Sequence, residues 1–184
     1  MRLFVAILLS DASRAGLEAV QCRLAPRCPD VRWVPREQLH MTVQFLGDVP
    51  NGDVATIGQA LSSGAKSVAD FEMRIEGCGV FPPRGPVRIV WAGADEPSGA
   101  MSRCVAQVHA ALKGVGYPPE DRPWSPHITI GRVREDRSGG RLREAVEACA
   151  CGPWRTRVDS ITLMSSALSP KGPTYTPVST ATLG

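Results

Sequence analysis

The stretch QLHMTVQFLG, residues 38–47, decides the fold, because it places a histidine and a threonine two positions apart among apolar residues. In a strand, residues i and i+2 point to the same face of the sheet. His40 and Thr42 therefore share one face, and Met41 and Val43 share the other. We predict a half-buried strand whose apolar residues enter the core, while one imidazole and one hydroxyl face outward.

The chain repeats this four-residue pattern in SPHITIGRV, residues 125–133, where His127 and Thr129 alternate with two isoleucines. A single strand of this kind is a common solvent-facing pattern with no chemical role. The 184 residues contain only three histidines, however, and two of them occupy this pattern. The third, His109, falls at the edge of a helical apolar face and is interpreted as a boundary residue. Two H-x-T strands that faced one groove would offer it two imidazoles and two hydroxyls.

The rest of the sequence mixes strand and helix patterns. We predict helices at about 11–24, 52–66, 98–114 and 141–150, strands at about 2–9, 31–34, 40–46, 71–80, 87–93, 127–133, 155–165 and 175–183, and a turn at 169–173. Each half of the chain contributes one H-x-T strand, about four strands in all and two helices, which predicts two similar lobes related by a pseudo-two-fold axis. No flexible linker divides them, so we expect residues 1–184 to form a single domain of two intertwined lobes.

Composition excludes several classes of protein. A chain of this length buries enough core to need no covalent staple, and its net charge of +3 does not favour wrapping long duplex nucleic acid. The six cysteines include no C-x-x-C pair, so we expect reduced thiols and a cytoplasmic location. The apolar start of the chain is interrupted at Ser10 and Asp11, which favours a buried strand over a signal peptide. No segment approaches the ~20 apolar residues of a membrane helix.

The paired motifs favour acid–base chemistry without a metal or cofactor. A zinc site needs three or four protein ligands, and the sequence has no G-x-S-x-G motif for a serine nucleophile. One imidazole can remove a proton while the other supplies one, and two hydroxyls can donate hydrogen bonds to anionic oxygens. This set of groups suits a phosphodiester with an internal leaving group, such as a 2′,3′-cyclic phosphate.

The motifs resemble those of the 2H phosphoesterases, in particular the bacterial RNA 2′,3′-cyclic phosphodiesterases, also called the 2′-5′ RNA ligase family. Five blocks carry the resemblance in the family's order: RLFVAI, WVPREQLHMTVQFLG, VWAG, GYPPEDRPWSPHITIGRV and ITLMSSALSPKGPTY. The resemblance implies a bilobal α+β fold with pseudo-two-fold symmetry. Two antiparallel sheets would line a central groove, with helices on their outer faces.

The same resemblance implies a reaction and a set of roles. RNA ends carrying a 2′,3′-cyclic phosphate would be hydrolysed to 2′-phosphomonoesters, with 2′-5′ ligation as the reverse reaction. His40 would be the proton donor to the leaving 3′ oxygen, and His127 the proton acceptor from water. Thr42 and Thr129 would hold the phosphate oxygens.

Four further residues are candidate substrate contacts. Arg132 could bring a guanidinium to the phosphate, but its strand parity is opposite to that of Thr129, so it needs a twist or bulge at Gly131 to reach the groove. Phe45 could stack on a base, although its parity favours packing in the core. Trp91 and Trp124 are interpreted as stackers at the groove edge, with a role as core anchors as the alternative.

Two other functions remain open at this point. The same chemistry would serve a cyclic phosphodiesterase that acts on a small nucleotide. A non-catalytic protein that binds RNA ends would use the groove for recognition alone, although the presence of both motif histidines favours the enzyme. We expect a monomer that acts on RNA ends or small cyclic nucleotides, with no membrane partner.

Overall fold

The computed structural model describes residues 1–169 and 172–184, so the turn predicted at 169–173 lies partly outside the described residues. The four predicted helices are present, although α4 ends at Glu147 rather than near Ala150. The strands are β1 (Arg2–Leu8), β2 (Val31–Trp33), β3 (His40–Asp48), β4 (Phe71–Phe81), β5 (Ile89–Asp95), β6 (His127–Val133), β7 (Trp154–Val158), β8 (Ser160–Ser169) and β9 (Gly172–Thr182), and the α-helices are α1 (Asp11–Leu24), α2 (Val54–Ala65), α3 (Ala100–Gly114) and α4 (Arg141–Glu147).

The strands of the described residues form one antiparallel sheet in the order β7-β4-β5-β6-β3-β1-β8-β9, with β2 also paired to β6. In this order four strands lie on each side of the junction between β6 and β3, with β2 as a fifth strand on the β6 side, and each junction strand carries one H-x-T motif. We call β3, β1, β8 and β9 the His40 half, and β6, β5, β4, β7 and β2 the His127 half. The predicted α+β class with two related lobes is confirmed. The two expected sheets meet edge to edge, because the register pair Met41–Ile128 joins them into one.

The helices pack against one face of this sheet. Helix α2 contacts β8 and β9, α3 contacts α2 and β3, α1 contacts β6 and β7, and α4 contacts β4. Met41, Val43, Ile128 and Ile130 point into this core and are each at most 2% exposed. The histidines and threonines that alternate with them therefore point to the opposite face.

One strand prediction is wrong. The segment predicted as a single strand over 155–165 forms two strands, which lie in different halves of the sheet. Strand β7 pairs with β4, and β8 pairs with β1 and β9. The alternation of buried side chains shifts by one residue here. The even-numbered Thr156 and Val158 are buried before Asp159, and the odd-numbered Ile161 and Leu163 are buried after it. The chain thus crosses between the two halves at Asp159.

The first strand is apolar on both of its faces. Its odd-numbered residues pack in the core beneath the helices, whereas Phe4 and Ala6 form a second small cluster with Met164 and Tyr175 on the opposite face. The helix that follows is capped at its start, because the Ser10 side chain accepts a hydrogen bond from the amide of Ser13.

Two further properties concern the whole described chain. All six cysteines are free thiols. Among the residues that the structure describes, no helix combines the length and apolar character needed to cross a membrane.

Candidate active site

The two H-x-T motifs meet at the centre of the sheet. Met41 of β3 and Ile128 of β6 form the register pair between these antiparallel strands. If this register continued by one residue in each direction, His40 would lie opposite Thr129, and Thr42 opposite His127. All four side chains are half-buried on the face away from the helices. The sequence prediction that these four residues share one face therefore agrees with the structure.

Both motif imidazoles are held by the main chain in the same way. The Nδ1 atom of His40 lies 2.7 Å from the carbonyl oxygen of Gln38, and that of His127 lies 2.9 Å from the carbonyl oxygen of Ser125. A carbonyl oxygen only accepts hydrogen bonds, so each Nδ1 carries the proton. Each neutral ring consequently has its lone pair on Nε2, where it can take a proton, and each charged ring donates from that same atom.

Each histidine also has an aromatic neighbour that meets it edge-on. The rings of His40 and Tyr175 are 5.2 Å apart at 88°, and those of His127 and Phe81 are 5.2 Å apart at 90°. His40 has a second neighbour in Phe4, whose ring centroid lies 4.9 Å away. The His40 imidazole is therefore enclosed on two sides by aromatic rings.

This enclosure changes the acidity of His40. Burial lowers the pKa of the imidazole below its ordinary value, because the charged ring loses contact with water. The hydrogen bond to the Gln38 carbonyl acts in the opposite direction, and the charge of Arg132 lowers the pKa further. In the unliganded protein His40 is thus biased toward the neutral form, and the Arg132 guanidinium lies close enough to influence it.

A matching bulge interrupts both motif strands. Val5 of β1 pairs with Gln44 of β3, and the next residue, Ala6, pairs with Thr42. Val43 is therefore an extra residue in β3. In β6 the extra residue is Ile130. Val90 of β5 pairs with Gly131, and the next residue, Trp91, pairs with Thr129. A bulge of one residue reverses the alternation of side chains beyond it.

The bulges bring two sequence candidates to the groove face. Arg132 lies beyond the bulge in β6 and is exposed. The bulge that Arg132 needed in order to reach the groove face is therefore present. Phe45 holds the corresponding place in β3, is 52% exposed and lies 6.1 Å from the ring of Phe4. The expectation that Phe45 packs in the core is wrong, because Val43 and Gln44 both turn inward and shift the alternation.

Polar side chains from the helices support the two bulges. The Gln21 amide of α1 donates to the carbonyl of Ile130 at 2.9 Å, and the amide of Val34 donates to the same oxygen at 3.0 Å. The Nε2 atom of His109 lies 3.4 Å from the carbonyl of Val43. His109 therefore contacts the extra residue of the β3 bulge and is more than the boundary residue that its sequence position indicates.

The two candidate tryptophans lie in different places. The ring of Trp91 lies against Gly79, where a Cβ atom would overlap it. Its centroid is 5.3 Å from that of Phe81, the ring that lies beside His127. Its indole N–H is buried and has no partner within the described residues. Trp124 instead packs beside α3, and its indole N–H donates to the carbonyl of Thr42 at 3.1 Å. Trp91 thus belongs to the groove, whereas Trp124 anchors the loop that precedes β6.

Sequence reasoning missed Phe4 and Tyr175, the two rings around His40. The available signals were weak. The apolar run of β1 indicates a strand whose two faces are both covered, so Phe4 was expected to pack against another side chain on the groove face. Tyr175 closes the last of the five sequence blocks, but nothing local to it indicates a contact with a strand more than a hundred residues earlier.

The groove brings together two imidazoles, two hydroxyls and a guanidinium. Neither threonine hydroxyl makes a hydrogen bond within the described residues, so both are available to a ligand. In that same part of the chain, no cluster of three or more His, Cys, Asp or Glu side chains is arranged to hold a metal ion. A cavity of about 740 Å³ between β4 and the start of α3 contains neither motif histidine. The groove chemistry suits binding an anionic phosphate and moving two protons.

A sheet with two symmetry-related H-x-T strands, each with its imidazole held through Nδ1, defines a two-histidine phosphoesterase. The chain belongs to the 2′-5′ RNA ligase superfamily, whose family model matches residues 8–169.

Curated relatives cover nearly the whole chain. It is 32% identical over 177 residues to an RNA 2′,3′-cyclic phosphodiesterase of Methanothermobacter thermautotrophicus, covering 96% of this chain and 95% of the relative. It is 33% identical over 176 residues to a protein of the same name in Archaeoglobus fulgidus, covering 95% and 96%.

Solved structures agree. TT0787 of Thermus thermophilus superposes with a TM-score of 0.87 at 29% identity, covering 100% of this chain and 98% of that one. Escherichia coli LigT complexed with 3′-AMP gives a TM-score of 0.78 at 25% identity, covering 99% and 97%.

Proposed function

We propose that this protein is an RNA 2′,3′-cyclic phosphodiesterase that opens cyclic phosphate ends to 2′-phosphomonoesters. The observation that carries the proposal is the meeting of two H-x-T motifs at the Met41–Ile128 pair, with both imidazoles presenting Nε2. The name of the curated relatives, RNA 2′,3′-cyclic phosphodiesterase, supports the substrate and the opening of its cyclic phosphate.

The reaction needs two proton transfers at one phosphorus atom. A water molecule attacks in line with the bond to the 3′ oxygen, and Nε2 of neutral His127 takes its proton. The new P–O bond forms as the bond from phosphorus to the 3′ oxygen breaks. Nε2 of charged His40 then donates a proton to that oxygen, leaving a 3′ hydroxyl and a 2′ phosphate. Exchange with solvent returns both rings to their starting states.

The threonines hold the reacting group. The hydroxyls of Thr42 and Thr129 donate hydrogen bonds to the two non-bridging oxygens, because no described residue occupies either hydroxyl. Arg132 adds a positive charge on the same side and favours the negative charge that accumulates at phosphorus. Each positioned acid or base contributes ~10²–10⁴-fold to the rate.

The proton donor role of His40 requires that substrate binding change its protonation. Burial lowers its pKa in the free protein, so the neutral ring predominates there. A phosphate anion placed against Nε2 favours the charged ring and offsets this effect. The substrate thereby creates the acid that its own leaving group needs.

Three aromatic residues complete the proposed substrate site. Phe45 stacks on the nucleobase from the His40 half, and Trp91 lines the His127 half. Trp124 takes part indirectly, since its hydrogen bond to the Thr42 carbonyl holds the loop before β6.

Residues 1–184 act together as one catalytic domain. The protein acts as a monomer in the cytoplasm and uses no cofactor.

The test uses 2′,3′-cyclic mononucleotides and a short RNA with a cyclic phosphate end, incubated with the protein and a metal chelator. Phosphorus NMR should show the 2′-phosphomonoester as the product, because the groove supplies the acid and the base itself. A 3′-monoester, or a rate lost on chelation, would contradict the mechanism. Binding without turnover would favour a protein that only recognises RNA ends, and opening of mononucleotides alone would favour a small-nucleotide enzyme.

A further inference from the structure

Two cysteines face each other beyond the end of the ladder between β4 and β7. The last register pair of these antiparallel strands is Ile75 with Trp154. If the same register continued for three residues, Cys78 would lie directly opposite Cys151. The two segments do stay together there, because the amide of Gly77 donates to the Cys151 carbonyl oxygen at 2.9 Å. Directly opposed residues of an antiparallel pair have Cα atoms about 4.5–5.5 Å apart, a separation that a disulfide bridges.

The two side chains also interact directly. The Cys78 thiol donates a hydrogen bond to the sulfur of Cys151, and this bond lowers the pKa of Cys151. Burial opposes the effect, and the charge of Arg23 supports it. Cys151 therefore carries the thiolate of the pair, which is the form of cysteine that reacts with oxidants. Both cysteines are free in the structure.

The pair lies on the helix face of the sheet, away from the groove. Cys78 pairs with Ala92 of β5, Ala92 pairs with Ile128 of β6, and both of these partners are 0% exposed in the core beneath the helices. Cys151 follows α4 and is 5% exposed, whereas Cys78 is half-buried. A small oxidant from solvent therefore reaches the pair from the side of Cys78.

We propose that Cys78 and Cys151 are a redox modification site, at which hydrogen peroxide forms a reversible disulfide that ties the segment after α4 to β4. The Cys151 thiolate attacks one peroxide oxygen, the O–O bond breaks, and the departing oxygen takes up a proton to become water. Cys151 is thereby oxidised to a sulfenic acid. The sulfur of Cys78 then attacks that of Cys151, the S–O bond breaks, and the hydroxyl leaves as water with the Cys78 proton. Two thiols and one peroxide thus give one disulfide and two waters, and a dithiol reductant restores the thiols.

The disulfide would stabilise the fold while the protein is exposed to an oxidant. It closes a loop of about 70 residues, and a cross-link of this kind restricts the unfolded chain. We expect the oxidised protein to melt about 5–15 °C above the reduced protein. In a reducing compartment such a bond is transient, since cellular thiols reduce it once the oxidant is gone.

Peptide mapping by mass spectrometry tests the site in the wild-type protein. The protein is treated with a small molar excess of hydrogen peroxide, and linked peptides are identified before and after addition of dithiothreitol. We expect a bond between Cys78 and Cys151 that is lost on reduction. Cys104 should stay a free thiol, because burial raises its pKa to about 11. Cys149 lies close enough to influence the pKa of Cys78, so a bond that joins Cys149 to either cysteine would overturn the proposal, as would an unmodified pair.

Melting curves of oxidised and reduced protein test the stabilisation. The Cys78→Ala variant should lose both the bond and the rise in melting temperature. The matched control is Cys22→Ala, which removes an exposed thiol of α1 and should keep both. An equal rise in Cys78→Ala, or oxidised and reduced wild-type protein that melt at one temperature, would contradict the stabilising bond. Neither measurement depends on the proposed function, so the two proposals stand or fall separately.

Discussion

The His40 and His127 halves share a backbone plan and differ in what surrounds their histidines. Both have an H-x-T motif, a Nδ1 bond to the carbonyl two residues earlier, and a bulge after the threonine. His40 lies between Phe4 and Tyr175, whereas His127 has a ring contact only with Phe81 among the described residues. Five residues past each histidine, one strand carries Phe45 and the other carries Arg132. The repeated backbone fixes the geometry, and the differing neighbours assign separate tasks to two identical side chains.

The largest expected effect comes from removing either histidine. His40→Ala and His127→Ala should each lower kcat/KM for a cyclic phosphate RNA by ~10²–10⁴-fold, because each removes one positioned proton transfer. Steady-state kinetics would measure the loss, and thermal melting would show that the fold is retained. His109→Gln is the control, since it keeps a donor for the Val43 carbonyl and should retain most of the activity. Near-wild-type turnover in either alanine variant would contradict the mechanism.

A substrate with sulfur in place of the 3′ bridging oxygen refines this comparison. A thiolate leaves without being protonated, so the substrate has no need of the acid. His40→Ala should recover most of its rate with this substrate, and His127→Ala should not. Recovery by His127→Ala instead would exchange the two roles.

The next effect concerns the residues that follow the two bulges. Arg132→Gln should weaken binding of the anionic substrate by about 10-fold and reduce its salt dependence, because a charged contact is lost. Phe45→Ala should weaken binding by a similar or smaller factor, since base stacking contributes about 1–3 kcal/mol, but should leave the salt dependence unchanged. Measurement of KM at low and high ionic strength distinguishes the two. Phe45→Tyr, which keeps a ring, is the control, and a salt-dependent loss in Phe45→Ala would contradict the stacking role.

The smallest effect is a change in the titration of His40. Tyr175→Ala opens one side of the imidazole to water, so the pKa of His40 should rise toward its ordinary value, whereas Tyr175→Phe should preserve the lowered value. NMR titration of the His40 ring protons measures this directly. If His40 is the acid, its active form is the charged ring, and activity is lost as pH rises through its pKa. The alkaline limb of kcat/KM should therefore move to higher pH in Tyr175→Ala. Movement of the acidic limb would indicate that His40 is the base.

The alternation rule was sufficient to place the four motif residues. His40 and Thr42 share a face because strand residues two apart always do, and the same holds for His127 and Thr129. The repeated motif likewise indicated two related lobes. These features depend only on local geometry, which a sequence carries directly.

Local reasoning could indicate one of the two bulges but not the other. Gly131, next to Ile130, marks a position where a bulge can form, whereas the residues around Val43 give no such signal, because a bulge is defined by the partner strand. Without it, alternation sends Phe45 and Arg132 the wrong way. The alternation of apolar residues shifts at Asp159, and this shift is visible in the sequence. Only the strand pairing shows that the chain passes from the His127 half to the His40 half at that residue. Tyr175 contacts His40 through tertiary structure alone.

The hydrogen bonds at Nδ1 have a consequence for how this protein can vary. Their acceptors are the carbonyls of positions 38 and 125, and every amino acid encoded there supplies a carbonyl. A point mutation can change the side chains of Gln38 or Ser125 without deleting either acceptor. Natural variation at these two codons can therefore be wide while the tautomer of each histidine persists, provided that the chain keeps its path into β3 and β6.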